Sequence, residues 1–185
     1  QGTEGVMPDI GAKGLNNYKP LDYSDASGTH LFASAGDGNA IFNVGTSDEF
    51  LYAFVVNTGT DTGGYSTFIC HGNITDNGHF ACAQRTNSAN RDIYLWTKSG
   101  LSSNRTQWDD VFTIGANHII VFGKIGGAVV LRVDGTAQTA STSQTFNAVS
   151  STDDTTLGMS FTGSGGDADR EYDGLIYEMV FSKLS

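Results

Sequence analysis

Two short apolar runs, Ile119-Ile-Val-Phe122 and Ala128-Val-Val-Leu-Arg-Val133, stand on either side of Gly126-Gly127, and this arrangement constrains the fold more than any other stretch. Adjacent glycines accept the positive φ angles of a tight hairpin, so the two runs read as paired antiparallel strands. Asp134-Gly135 marks a second reversal. Elsewhere Val, Ile, Phe, Tyr and Thr again collect in short runs between clusters of Gly, Asp, Asn and Ser. No stretch carries apolar residues at helical spacing over three turns, which points to an all-β chain. Glu49–Asn57 has Phe50, Tyr52, Phe54 and Val56 on one face and Leu51, Ala53 and Val55 on the other, which predicts a central strand. Tyr65–His71 and His79–Arg85, joined by a turn-rich link, predict another hairpin. Arg91–Thr97, Thr155–Thr162 and Tyr172–Ser182 add to a total of about nine to eleven strands, enough for two stacked sheets.

Composition narrows the function. Sixteen Asp against four Glu, with 24 Gly and only 2 Pro in 185 residues, favours turns over helices and excludes collagen-like or Pro-rich chains. Twenty acidic against ten basic residues leave a net charge of −10, so the surface lacks the cations that nucleic-acid binding needs. No apolar run approaches the roughly 18–20 residues of a membrane-spanning helix. No signal-peptide pattern opens the sequence, and Gln1 in place of Met suggests a chain that is processed, excised from something longer or incompletely represented. The expected organisation is an aperiodic arm over residues 1–34, wrapping the body or docking on a partner, followed by a β-sandwich over 35–185.

The C-terminal half resembles concanavalin A-like and laminin-G-like jelly-roll domains. The residues that carry the likeness are His118-Ile-Ile-Val-Phe122, Gly126-Gly127, Leu131-Arg-Val-Asp-Gly135, Leu157-Gly158 and Asp173-Gly-Leu-Ile-Tyr-Glu-Met-Val-Phe181. The resemblance implies a two-sheet antiparallel jelly roll, in which Gly174 lets the last strand start close against its neighbour. It does not select a function, because lectins, glycosidases, polysaccharide lyases, adhesion modules and tailed-bacteriophage surface proteins share this architecture.

Glycosidases of this architecture use a pair of carboxylates in a groove, aimed by a Glu-x-Asp-x-x-Glu strand. None of Glu4, Glu49, Glu171 and Glu178 sits in such a pattern, so no catalytic residue is assigned. Asp167, Asp169, Glu171 and Asp173 alternate in a loop after Gly163-Ser-Gly-Gly166. Calcium takes about six to eight oxygens from flexible loops, which makes these four the candidate metal ligands, with Asp153-Asp154 or Asp109-Asp110 as a second loop. The competing reading is an acidic rim that is simply solvated.

Sugars stack their C–H faces on exposed rings while polar side chains hold the hydroxyls. Trp108, with Asn104 and Arg105 from the polar loop before it, is the candidate ligand-binding set, with packing as the alternative for Trp108. Trp96 alternates with Tyr94 in a strand and reads as core. Cys70-His71 and His79-x-x-Cys82 suggest zinc, but neighbouring strand residues point to opposite faces, which works against four converging ligands. A hairpin centred on Asp76 would place Cys70 opposite Cys82, as two buried thiols or as a cross-strand disulfide.

The expected function is that of a non-catalytic structural or adhesion module on a bacteriophage virion, of capsid-decoration or tail-fibre type. Such a module would contact neighbouring virion proteins or copies of itself and bind host glycans. The alternative is a secreted or cell-surface lectin-like module, with calcium as its one candidate ion, and a polysaccharide-active enzyme comes last.

Overall fold

A computed structural model describes residues 9–10, 21–22, 31–33, 42–59, 65–74, 78–87, 90–99, 102–150, 155–158, 160–161, 166–167, 172 and 174–184. The strands are β1 (Asp9–Ile10), β2 (Leu21–Asp22), β3 (Leu31–Ala33), β4 (Glu49–Thr58), β5 (Tyr65–His71), β6 (Phe80–Asn87), β7 (Asn90–Ser99), β8 (Ser102–Thr113), β9 (Asn117–Ile125), β10 (Ala128–Val133), β11 (Thr136–Ala137), β12 (Thr155–Leu157), β13 (Ser160–Phe161), β14 (Gly166–Asp167) and β15 (Gly174–Leu184). They form a seven-stranded sheet in the order β1-β2-β15-β4-β9-β10-β11 and a six-stranded sheet in the order β3-β12-β5-β6-β7-β8, with β13 and β14 as a separate pair. All the pairings are antiparallel. Among the described residues no helix is long and apolar enough to cross a membrane.

Side chains alternate as the pleat requires. On β4, Phe50, Tyr52, Phe54 and Val56 are buried while Leu51, Ala53 and Val55 are half-buried. This strand lies between β15 and β9, the central place that two apolar faces predict. The core fills with rings from both sheets: Tyr52 lies 5.2 Å from Phe122, 5.4 Å from Phe80 and 4.5 Å from Phe181 between centroids. Gly126 and Gly127, at φ 57° and 79°, make the tight turn between β9 and β10, with Ile125 paired to Ala128.

The described parts of residues 1–34 pair at the edges of the sandwich, β2 with β15 and β3 with β12. Two expectations are corrected. The first concerns β8, the longest of the described strands, which occupies a stretch whose sequence reads in part as a loop. The second is the cysteine register. Phe68 is taken up in a bulge between Thr67 and Ile69, so Ile69 opposes Cys82 and Cys70 opposes Ala81. Cys82 therefore sits in the core while Cys70 faces the other way, and the two buried thiols are not bridged to each other. Both ring nitrogens of His71 are engaged, Nδ1 with Thr155 Oγ1 at 2.7 Å and Nε2 with Asn43 Oδ1 at 2.9 Å. No cluster that could hold a metal ion exists among the described residues.

Gly174 opens β15 at φ 138°, where a Cβ would lie 2.2 Å from Asn57 O. We expect Gly174→Ala to lower stability by at least about 1–3 kcal/mol, the cost of one disfavoured backbone conformation, before the clash is added. Chemical denaturation checks this, and an unchanged midpoint would contradict it. A second expectation concerns acid. Asp134 accepts Ile119 N–H at 2.8 Å and contacts His118 Nδ1 at 2.8 Å. Burial pushes its carboxyl up, but the Ile119 and His118 hydrogen bonds outweigh burial and leave it below the ordinary value. Its contribution is then complete above about pH 4 and lost as pH falls through the depressed folded value. Asp134→Asn should lower the melting temperature at neutral pH and flatten its acid dependence; parallel acid profiles for the two proteins would contradict the assignment.

Candidate functional site

The outward face of the six-stranded sheet carries a cluster of rings and cations that follows from register. Tyr65 pairs with Arg85, Ala83 with Tyr94, Ala81 with Trp96, and Trp96 with Arg105, so these residues share the face pointing away from the core. Tyr65 stands on β5 and the other two rings on β7, with β6 between them. Of the β6 residues on this face, Ala81 and Ala83 are too small to fill the space above their strand. Rings lean in over them from both sides. Tyr65 meets Trp96 edge-on at 4.9 Å and Tyr94 at 5.2 Å, and Tyr94 stacks on Trp96 at 5.4 Å with 12° between planes.

Two guanidinium groups complete the cluster. Arg85 Cζ lies 5.4 Å from the Tyr65 centroid, and Arg105 Cζ lies 5.3 Å from that of Tyr94. Tyr94 is buried beneath its neighbours, Tyr65, Trp96 and Arg105 are half-buried, and Arg85 is exposed. The result is a partly exposed aromatic cluster with a guanidinium over two of its rings. Arg85 is held above its ordinary pKa, first by Tyr65 and then by its hydrogen bond to Tyr94. Burial raises the Tyr94 hydroxyl, and the charge of Asp92 adds to the rise.

Asp92, 5% exposed, anchors the arrangement from beside Tyr94 on the same face of β7, where it pairs with Arg85. Its Oδ2 accepts the Tyr94 hydroxyl at 3.2 Å and its Oδ1 accepts Asp110 N–H at 3.0 Å. Between Trp108, paired with Ile93, and Phe112, paired with Arg91, the three residues Asp109, Asp110 and Val111 face Asp92 alone. The Asp110 backbone at φ 52° makes this bulge, and Asp92 caps it.

The candidate residues from the sequence part ways here. Trp108 is 1% exposed in the core, opposite Ile93, so it has no face to offer a ligand, and the sugar-platform reading of this residue is corrected. Trp96, read as core, faces outward. The inversion follows from β7, whose Ile93 and Leu95 take the inner face and leave Tyr94 and Trp96 the outer one. Asn104 stitches β8 to the chain that follows β11, donating to Thr145 O at 2.7 Å and Asn147 Oδ1 at 3.3 Å. Arg105 is the one residue of the expected set that belongs to the surface cluster. Of the expected calcium ligands, Asp167 lies in β14 with its backbone paired to Ser160, whereas Asp169, Glu171 and Asp173 lie outside the described residues. Asp153-Asp154 lies outside them as well. Tyr65 and Arg85 were not singled out by the sequence, although the unbroken apolar run Ile93-Tyr-Leu-Trp96 already implies apolar side chains on both faces of its strand, with both rings on the same one.

No protein-family profile matches the sequence, and no curated protein matches it. Solved structures do. The Ruminococcus gnavus IT-sialidase CBM40 bound to α2,3-sialyllactose aligns with TM-score 0.68 at 13% identity, over 90% of this chain and 91% of its own. The heptameric SAP-like pentraxin of Limulus polyphemus aligns with TM-score 0.57 at 12% identity, over 98% and 76%. Mouse laminin α1 domains LG4-5 align with TM-score 0.52 at 11% identity, over 90% and 41%. The fold is a concanavalin A-like, laminin-G-like jelly roll. At these identities the likeness is one of fold, and the site is argued from this jelly roll's own residues.

The opposite settings of the two tryptophans can be read in solution. We expect iodide to quench only the Trp96 component of the fluorescence, and Trp96→Phe to leave a blue-shifted, unquenched emission from Trp108. Equal quenching of both would contradict the assigned faces of β7 and β8.

Proposed function

We propose that the chain is a carbohydrate-binding module whose ligand lies across Tyr65 and Trp96, with Arg85 and Arg105 holding an acidic group on the sugar. The observation that carries this reading is the pairing of ring faces with two guanidiniums on one outward sheet face. Rings accept the C–H face of a pyranose, and arginine recognises carboxylate with charge-assisted, often two-pronged hydrogen bonds. A protein with net charge −10 that sets two of its five arginines beside three rings favours an anionic ligand at that place and repels it elsewhere. The sialyllactose complex of the structurally similar CBM40 supports the same class of ligand.

Display on a virion surface is compatible with this site, since such a module would meet host glycans through the same face. That location rests on composition, chiefly the Thr- and Ser-rich stretch 136–144. The ring platform requires no metal. Calcium in the loop around Asp169 and Glu171 is a separate proposal, and binding repeated in EDTA tests it.

The experiment is a glycan array with the full chain, in calcium and in EDTA, followed by titration of the best ligand. We expect sialylated or other acidic glycans to bind. Arg85→Ala and Arg105→Ala should each weaken binding roughly tenfold or more, matching the loss of a charge-assisted hydrogen bond. Trp96→Ala should weaken it comparably, while Arg132→Ala on the other sheet should leave it unchanged. Neutral glycans binding equally well, or full affinity in the Arg85 and Trp96 variants, would overturn the reading.

A further inference from the structure

A groove of about 460 Å³ lies between the start of β10 and the chain that follows β11, and it shares no residue with the ring platform. Its lining includes Thr46, Lys124, Val129, Ser143, Thr145 and Phe146. The volume falls within the roughly 300–1,000 Å³ typical of small-molecule sites. Phe146 is buried and Val129 half-buried, so the groove has an apolar floor, whereas Thr46, Ser143 and Thr145 are exposed around it. The hydroxyls of those three residues make no hydrogen bond with the described residues.

The far wall is preformed. Gln107 N–H donates to Thr142 O at 2.8 Å, Ser141 N–H to Gln107 O at 2.8 Å, and Asn147 N–H to Thr97 Oγ1 at 3.1 Å. With the Asn104 bonds already described, these fix the segment on β7 and β8. A wall held in this way loses little freedom when a ligand settles against it.

Lys124 supplies a donor from inside. It is 4% exposed, and its ammonium donates to Thr46 O at 2.5 Å and Asp48 O at 3.1 Å. An ammonium carries three N–H donors, so one is left over on a side chain that lines the groove. The surrounding charge is balanced. Asp48 is paired with Lys183 at 2.7 Å, and its carboxyl is held below the ordinary value, first by the Lys183 hydrogen bond and then by Gly45 N–H. Glu49 accepts Gly126 N–H at 2.6 Å close by. An anion would gain little here, but a polyol would find donors and acceptors on three sides.

We infer that this groove is a second saccharide site, taking a neutral pyranose with its C–H face on Val129 above the buried Phe146 and its hydroxyls on Thr46, Ser143, Thr145 and the spare Lys124 N–H. The site is independent of the platform and differs from it in charge preference. The test is a titration of the ¹⁵N-labelled full chain with lactose, maltose and N-acetylglucosamine at millimolar concentration. At least one sugar should give saturable shifts at the amides of Gly127, Ser143 and Thr145. Those shifts should survive Arg85→Ala and disappear in Ser143→Trp and Thr145→Trp, exposed substitutions that fill the groove and whose folding a thermal melt verifies. Absence of saturable shifts with all three sugars, persistence in both tryptophan variants, or loss with Arg85→Ala would each overturn the inference.

Discussion

The interlocked rings between the sheets are the interaction on which the rest depends. Tyr52 stands at their centre, touching Phe122 beside it, Phe181 on β15 and Phe80 across the core. Phe50 extends the contact edge-on to Phe80, and Phe54 reaches Phe68 at 5.8 Å. Hydrophobic content is modest for a chain of this length, and large rings, each burying a large area, help to offset chain entropy. Because this cluster fills the interior, strands that carry apolar residues on both faces must present their second set outward.

That consequence produces the candidate site. On β7 the inner positions go to Ile93 and Leu95, and Tyr94 and Trp96 are left on the surface. Exposed rings alone would be a liability for solubility. Here Arg85 lies over Tyr65 and Arg105 over Tyr94, and Asp92 holds the Tyr94 hydroxyl from two residues away on the same face. The small side chains of Ala81 and Ala83 are as important as the rings, since a larger residue on β6 would hold Tyr65 away from Trp96. The same β8 that carries Arg105 also anchors the wall of the second groove, so one strand serves both surfaces.

Much of the fold was legible because alternation and turn chemistry are local. Glu49–Asn57 announced a central strand, Gly126-Gly127 a tight hairpin, and Gly174 a close approach, and each stands as read. The site was less legible because it depends on which face each residue takes. Ser102–Thr113 is polar enough to resemble a loop, and its bulge at Asp109–Val111 breaks the alternation that would have shown Trp108 facing inward. The bulge at Phe68 likewise shifted Cys70 by one residue and moved it off the face of Cys82. Pairing register is a property of two strands together, and a single strand's sequence does not contain it.

The central claim is that the outward face of β5 to β8 holds an acidic sugar. Its most direct test is a crystal structure of the full chain with α2,3-sialyllactose. The account predicts a pyranose over Trp96 and Tyr65, with the sialic acid carboxylate between Arg85 and Arg105. A sugar bound only on the loops at the rim, or an empty platform at saturating ligand, would contradict it.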